Sequence, residues 1–123
     1  MSKWHITYLQ EAESDISKLD GSIKNQVLKG IEKVSQNPLP VTEGGYGKPL
    51  GNKNGTNLSG FLKIKFLNIG IRVVYYLMRS EENMEIIVVS ARADEAVYKE
   101  AEKRKPKYFF FFYKVTDHPT CLA

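Results

Sequence analysis

Gly60-Phe61-Leu62-Lys63-Ile64-Lys65-Phe66-Leu67-Asn68-Ile69-Gly70-Ile71-Arg72-Val73-Val74-Tyr75-Tyr76-Leu77 reads as two strands joined by a short turn. Alternation puts Leu62, Ile64 and Phe66 on one face of the first strand and Phe61, Lys63 and Lys65 on the other. A turn centred on Asn68-Ile69, with Gly70 relieving the backbone, fixes the register: Phe66 opposite Ile71, Lys65 opposite Arg72, Ile64 opposite Val73 and Lys63 opposite Val74. Two cations then face each other, an arrangement that costs roughly 0.2–1 kcal/mol. No Asp or Glu lies between Gly44 and Ser80 to neutralise them, while Lys48, Lys53, Lys63, Lys65, Arg72 and Arg79 all fall in that span. The cationic field is therefore concentrated, and its natural counter-ion is a phosphate.

Downstream, Arg79 to Asn83 is a polar turn, and Glu85 to Arg92 is a third consecutive strand. An antiparallel meander that keeps the apolar faces together sets Val73 near Val89 and Arg72 near Ser90, so that Arg92 projects beside Arg72. Asp94 is suited to cap a final helix from Glu95 to about Arg104, with Val97 and Ala101 turned inward and Tyr98 on its first turns. Upstream, Trp4 to Leu9 alternates and reads as a strand, with His5 facing solvent. Ala12, Ile16 and Leu19 mark one helix, and Ile23, Val27, Ile31 and Val34 mark a second, so the two form a helical hairpin. Pro38 to Asn57, about twenty residues rich in Gly, Pro and Asn, reads as a long loop of the kind that is often functional. Its Gly44-Gly45-Tyr46-Gly47 run precedes no helix and lacks the Lys-Ser/Thr ending of a nucleotide-binding loop.

The expected fold class is therefore α+β in a single domain. It comprises an N-terminal strand, a helical hairpin over the Leu62/Ile64/Val73/Val89 face of a mainly antiparallel sheet, a three-stranded meander and a C-terminal helix. At 123 residues and 42% hydrophobic content the chain suits one domain with a real core. A net charge of +4 suits nucleic acid or an acidic partner without demanding either. A single cysteine, Cys121, and two histidines, His5 and His118, imply no disulfide framework, metal or other cofactor. With no signal-type or membrane-spanning run, the expected location is the cytoplasm, with no membrane partner. The aromatic run Tyr108 to Val115 has no alternation; it suits an additional strand or an apolar strip docked on the body or on a second copy.

The pattern Lys63-Ile-Lys65, Gly70-Ile-Arg72-Val-Val-Tyr75, Ser90-Ala-Arg92 and Val97-Tyr98 resembles the RelE/ParE superfamily of bacterial toxins, in its RelE-like branch. Gly47-Lys48-Pro49-Leu50 and Asn57-Leu58-Ser59-Gly60 resemble that family's run into the hairpin. The resemblance covers roughly residues 4 to 104, so residues 1–105 are read as the toxin domain and 106–123 as an atypical tail. It implies the toxin of a toxin–antitoxin module, a metal-independent endoribonuclease that cleaves mRNA in the ribosomal A site. It also implies a catalytic set of Lys63, Lys65, Arg72, Arg92 and Tyr98. Lys48, Lys53 and Arg79, from the same acid-free cationic stretch, are further RNA-binding candidates, with solvated loop lysines as the alternative for Lys48 and Lys53. The implied partners are a cognate antitoxin, the ribosome with its mRNA, and operator DNA only through the antitoxin complex. Two alternatives remain: a ParE-like noncatalytic inhibitor of DNA gyrase, and an RNA- or protein-binding module without catalysis. Lysines and arginines on one sheet face are, in most proteins, simply the solvated side.

Attack of a ribose 2′-oxygen on the adjacent phosphorus needs a base, charge stabilisation on the phosphoryl oxygens and help for the leaving 5′-oxygen. With no histidine pair, a lysine crowded by other cations is the candidate base, and Lys65 opposite Arg72 is the most crowded. The resemblance implies Lys65 with Lys63 on the base side, Arg72 as phosphate clamp, Arg92 near the leaving group and Tyr98 stacked on a base.

Overall fold

The computed structural model describes residues 4–51 and 58–104. Lys53, the aromatic run Tyr108 to Val115 and the rest of the tail lie outside the described residues. The chain runs β1 (His5–Tyr8), α1 (Gln10–Ser17), α2 (Gly21–Val34), a 3-10 turn (Val41–Glu43), β2 (Lys48–Gly51), β3 (Leu58–Phe66), β4 (Ile71–Met78), a second 3-10 turn (Arg79–Glu81) and β5 (Asn83–Ser90). A final helix, α3, covers residues 94–104. The strands form one five-stranded sheet in the order β1-β5-β4-β3-β2. Among the described strands, only the β1–β5 pair is parallel.

The central hairpin has the register that its alternation requires, with Phe66 opposite Ile71, Lys65 opposite Arg72, Ile64 opposite Val73 and Lys63 opposite Val74. Gly70 takes a φ of +67° at the turn, a conformation that L side chains rarely adopt. In the next pair Arg72 faces Ser90 and Val73 faces Val89, as the meander predicts. One apolar face of the sheet is covered by the helical hairpin, whose Val27, Ile31 and Val34 are buried. Gly30 of α2 lies so close to the Phe66 ring that a Cβ there would collide with it, so a small residue sets the distance between helix and sheet.

Three boundaries differ from the sequence reading. Residues 38–57 are not all loop, because Lys48–Gly51 forms the edge strand β2, antiparallel to β3. Its Pro49 and Gly51 read as breakers, yet an edge strand tolerates proline, since one of its sides has no ladder to donate to. Strand β5 ends at Ser90 rather than at Arg92. Asp94 falls within α3 instead of capping it, and its carboxylate is turned to the sheet, as described below.

β1 is only four residues long, and its pairing with β5 stops at Tyr8 and Ile86. Beyond that point the outer edge of β5 still carries backbone polar groups that need partners. Side chains supply them. Asp15 of α1 accepts the Val89 N–H at 3.0 Å, and Arg104 of α3 donates to the Ile87 carbonyl at 2.7 Å. Arg104 also donates to Asp15 at 2.8 Å and to Glu100 at 2.8 Å. Burial works against the Arg104 charge, but the two carboxylates outweigh it and hold its pKa above the ordinary value. This link ties α1, β5 and the end of α3 together. Asp15→Ala leaves the Arg104 guanidinium, 11% exposed, with one carboxylate fewer and strips the Val89 N–H of its acceptor. Breaking a pair buried to this degree is expected to cost about 3 kcal/mol, read as a lower urea midpoint with an unchanged slope.

Candidate active site

The site lies on the sheet face opposite the helical hairpin, where alternation places Lys63, Lys65 and Arg72. Cross-strand partners share a face, and Lys48 on β2 is the partner of Lys63. Four cationic residues therefore line adjacent positions of three strands. The sequence pattern places Lys48 in a loop; the edge strand carries it to the margin of the cluster, where it is exposed.

The anion that balances this cluster comes from the chain itself. Asp94, at the start of α3, accepts from Arg72 Nε through Oδ1. Its Oδ2 lies 3.0 Å from Lys65 Nζ and 3.5 Å from Lys63 Nζ. Sequence position concealed this acid, which falls outside the span that contains the lysines. A signal was nevertheless present: Asp94 precedes Tyr98 by four residues, so the two share a helix face. Burial raises the Asp94 carboxyl, but the Lys65 and Arg72 hydrogen bonds and the charges of Lys63 and Arg72 prevail and push its pKa down to about 2.

Tyr98 sits one turn further along α3, with its hydroxyl accepting from Lys63 Nζ. The residue is 4% exposed and lies between the buried Val97 and Ala101. The sequence reading placed a base against this ring; packing of α3 leaves no open ring face for one. The lysines consequently differ. Lys63 is 14% exposed and held by both Tyr98 and Asp94, whereas Lys65, 32% exposed, has Asp94 as its described acidic partner.

Arg92 is only partly brought to the site. Its backbone carbonyl accepts from Arg72 Nη1 at 2.8 Å, while its exposed side chain borders hollows on the Ala96 and Glu100 side of α3. The early end of β5 is the physical reason, since Arg92 lies past the strand that would have aimed it beside Arg72. Arg79 is remote from the cluster in the contacts described: it makes a bidentate pair with Glu43 at 2.9 and 2.7 Å. Among the described residues, no three His, Cys, Asp or Glu side chains converge as a metal site would require. No described helix is long and apolar enough to cross a membrane.

No family model matches the chain, and no curated protein does. Solved structures do. A chain of the RelBE2 toxin–antitoxin complex from Mycobacterium tuberculosis is 25% identical, with a TM-score of 0.60, over 76% of this chain and 97% of that one. An arginine double mutant of the Escherichia coli toxin RelE in the free state has a TM-score of 0.66 at 22% identity, over 84% of this chain and 98% of that one. A chain of the intact E. coli RelBE toxin–antitoxin complex has a TM-score of 0.56 at 20% identity, over 73% and 98%. The mixed α+β architecture with one five-stranded sheet is the fold that these structures and this chain have in common.

The Asp94 pairs have a pH signature. A carboxyl whose pKa falls on folding contributes stability above its unfolded value, near 3.8, and loses it as pH drops through the folded value of about 2. Asp94→Asn should therefore be less stable than wild type at neutral pH, with a gap that closes between pH 3.8 and about 2. Chemical denaturation across that range measures it; a gap independent of pH would mean that the asparagine fails for packing reasons.

Proposed function

We propose that this chain, which has the fold of RelE toxins, is the RelE-like toxin of a toxin–antitoxin pair and cleaves mRNA on the ribosome. The observation that carries this reading is the convergence of Lys63, Lys65 and Arg72 on one sheet face, beside the Tyr98 hydroxyl. Such a surface suits a phosphodiester. The reaction is transfer within RNA: the 2′-oxygen attacks the adjacent phosphorus, the bond from phosphorus to the 5′-oxygen breaks, and a 2′,3′-cyclic phosphate and a 5′-hydroxyl result.

In this reading Lys65, the more exposed lysine, is the group that accepts the 2′-OH proton. Lys63, restrained by Tyr98, and Arg72 bind the phosphoryl oxygens, whose negative charge grows in the transition state. Tyr98 serves as a positioning residue for Lys63. Arg92, exposed on the link from β5 to α3, lends charge to the departing oxygen, which takes its proton from water. Lys48 and Arg79 meet flanking phosphates, Arg79 by exchanging Glu43 for RNA. A cognate antitoxin is the expected protein partner, since the similar structures include toxin–antitoxin complexes, and operator DNA is reached only through that complex. Because the site holds no strong acid–base pair, the ribosome contributes substrate geometry, and cleavage of free RNA is slow.

Expression of the chain should arrest growth, and translated mRNA should show cuts within codons in the A site. Lys65→Arg should lose cleavage as completely as Lys65→Ala, by about 100-fold or more, because guanidinium keeps its proton and cannot act as base. Lys63→Arg should keep part of the activity. Near wild-type cleavage by Lys65→Arg would make Lys65 a phosphate ligand; growth arrest without any mRNA cleavage would favour a noncatalytic inhibitor.

Binding to ribosomes should weaken steeply with salt, because each lysine or arginine that meets a phosphate releases condensed counter-ions. Affinity indifferent to salt, measured by sedimentation at several salt concentrations, would point to an apolar protein surface as the true contact.

A further inference from the structure

Asp94 makes three ion pairs, to Lys63, Lys65 and Arg72, and these are the same groups assigned to the substrate phosphate. A carboxylate whose Oδ2 reaches two ammonium groups and whose Oδ1 reaches a guanidinium occupies the position that two phosphoryl oxygens would take. We propose that Asp94 is a resident substitute for the substrate phosphate, which closes the site to single phosphates and mononucleotides and leaves it open only to a polynucleotide. The inference rests on the reading of the cluster as a phosphate site and names the residue that sets its selectivity.

The argument is one of exchange. A phosphodiester carries one negative charge, as Asp94 does, so swapping one for the other adds no net attraction, and a lone phosphate monoester, at about −1.5 to −2 near pH 7, adds at most one charge more. Asp94 also has the advantage of attachment, because a tethered group acts at an effective concentration on the order of millimolar or higher. A lone phosphate therefore loses. A chain of phosphates wins by making contacts that Asp94 cannot make. Lys48 extends the cationic face from the Lys63 side, and Arg92 lies just beyond Arg72, its carbonyl 2.8 Å from the Arg72 guanidinium. With Asp94 33% exposed and at the first turn of α3, rotation of one side chain is enough to vacate the place.

The same geometry accounts for stability without substrate. Three cations drawn together on one face repel one another, and Asp94 relieves that repulsion until RNA takes over. A purely structural salt bridge would share this property but would not bear on anion selectivity, which is the readout that separates the two.

The test is binding of inorganic phosphate and of a mononucleotide to the full chain, followed by calorimetry or amide chemical shifts. Wild type should show no saturation up to about 10 mM. Asp94→Asn should bind phosphate at least tenfold more tightly, about the change expected when a tethered competitor is removed. Asp94→Ser, whose hydroxyl suits a helix start, repeats the measurement should the asparagine fail to fold. Glu81→Gln, an exposed position away from the cluster, makes the same change in net charge and should gain nothing. If folded Asp94 variants bind phosphate no better than wild type, or if Glu81→Gln gains equally, the proposal is overturned. Cleavage assays run in parallel separate the two readings. Phosphate binding gained without any wild-type nuclease activity sinks the enzyme and keeps the substitute, whereas Lys65-dependent cleavage with no gain does the reverse.

Discussion

Three cations held on one face of a sheet need an anion, and the geometry of the site follows from where that anion is drawn. Asp94 gives it from the first turn of α3. The helix is therefore not placed by apolar contact alone. Val97, Tyr98 and Ala101 bury against the sheet, but burial is non-directional, and a short helix could slide along such a surface. Two charged contacts oppose sliding: Asp94 on Lys65 and Arg72 at the start, and Arg104 on Asp15 and the Ile87 carbonyl near the end of the described helix. Between them Tyr98 meets Lys63.

The second anchor arises from a shortfall in the sheet. β1 is too short to pair with all of β5, so the last backbone groups of β5 look for partners among side chains. Because those partners come from α1 and α3, the helical hairpin on one side of the sheet is coupled to the helix carrying Asp94 and Tyr98. The loop before β2 is pinned in a comparable way. The buried Tyr75 hydroxyl donates to the Pro38 carbonyl at 2.8 Å, burial holds its pKa well above the ordinary tyrosine value, and a Cβ on Gly47 would strike it. Gly47 is thus explained by packing, whereas Gly44 answers to a φ of +86°.

Lys63 and Lys65 are chemically identical and only two positions apart, yet they are not equivalent in the fold. Tyr98 and Asp94 immobilise Lys63, and lower exposure accompanies that. Lys65 keeps more water and more freedom. No feature of the Lys-Ile-Lys triplet itself announces this difference in restraint.

The central hairpin was legible because its information is local: period-two alternation and a glycine turn fix a register, and a slip by one residue would turn Leu62, Ile64 and Phe66 out of the core. Lys65 opposite Arg72, Arg72 opposite Ser90 and the two helices before the sheet follow from the same short-range rules. What the sequence could not determine is long-range. An edge strand with Pro49 and Gly51 becomes a strand only because β3 offers it a partner. The reach of Arg92 depends on where β5 stops, at Ser90 opposite Arg72 near the start of β4. Above all, Asp94 is 29 residues from Lys65 in the chain and 3.0 Å from it in the fold. Charge balance is settled by distance in space, and only the docking of α3 makes that distance short.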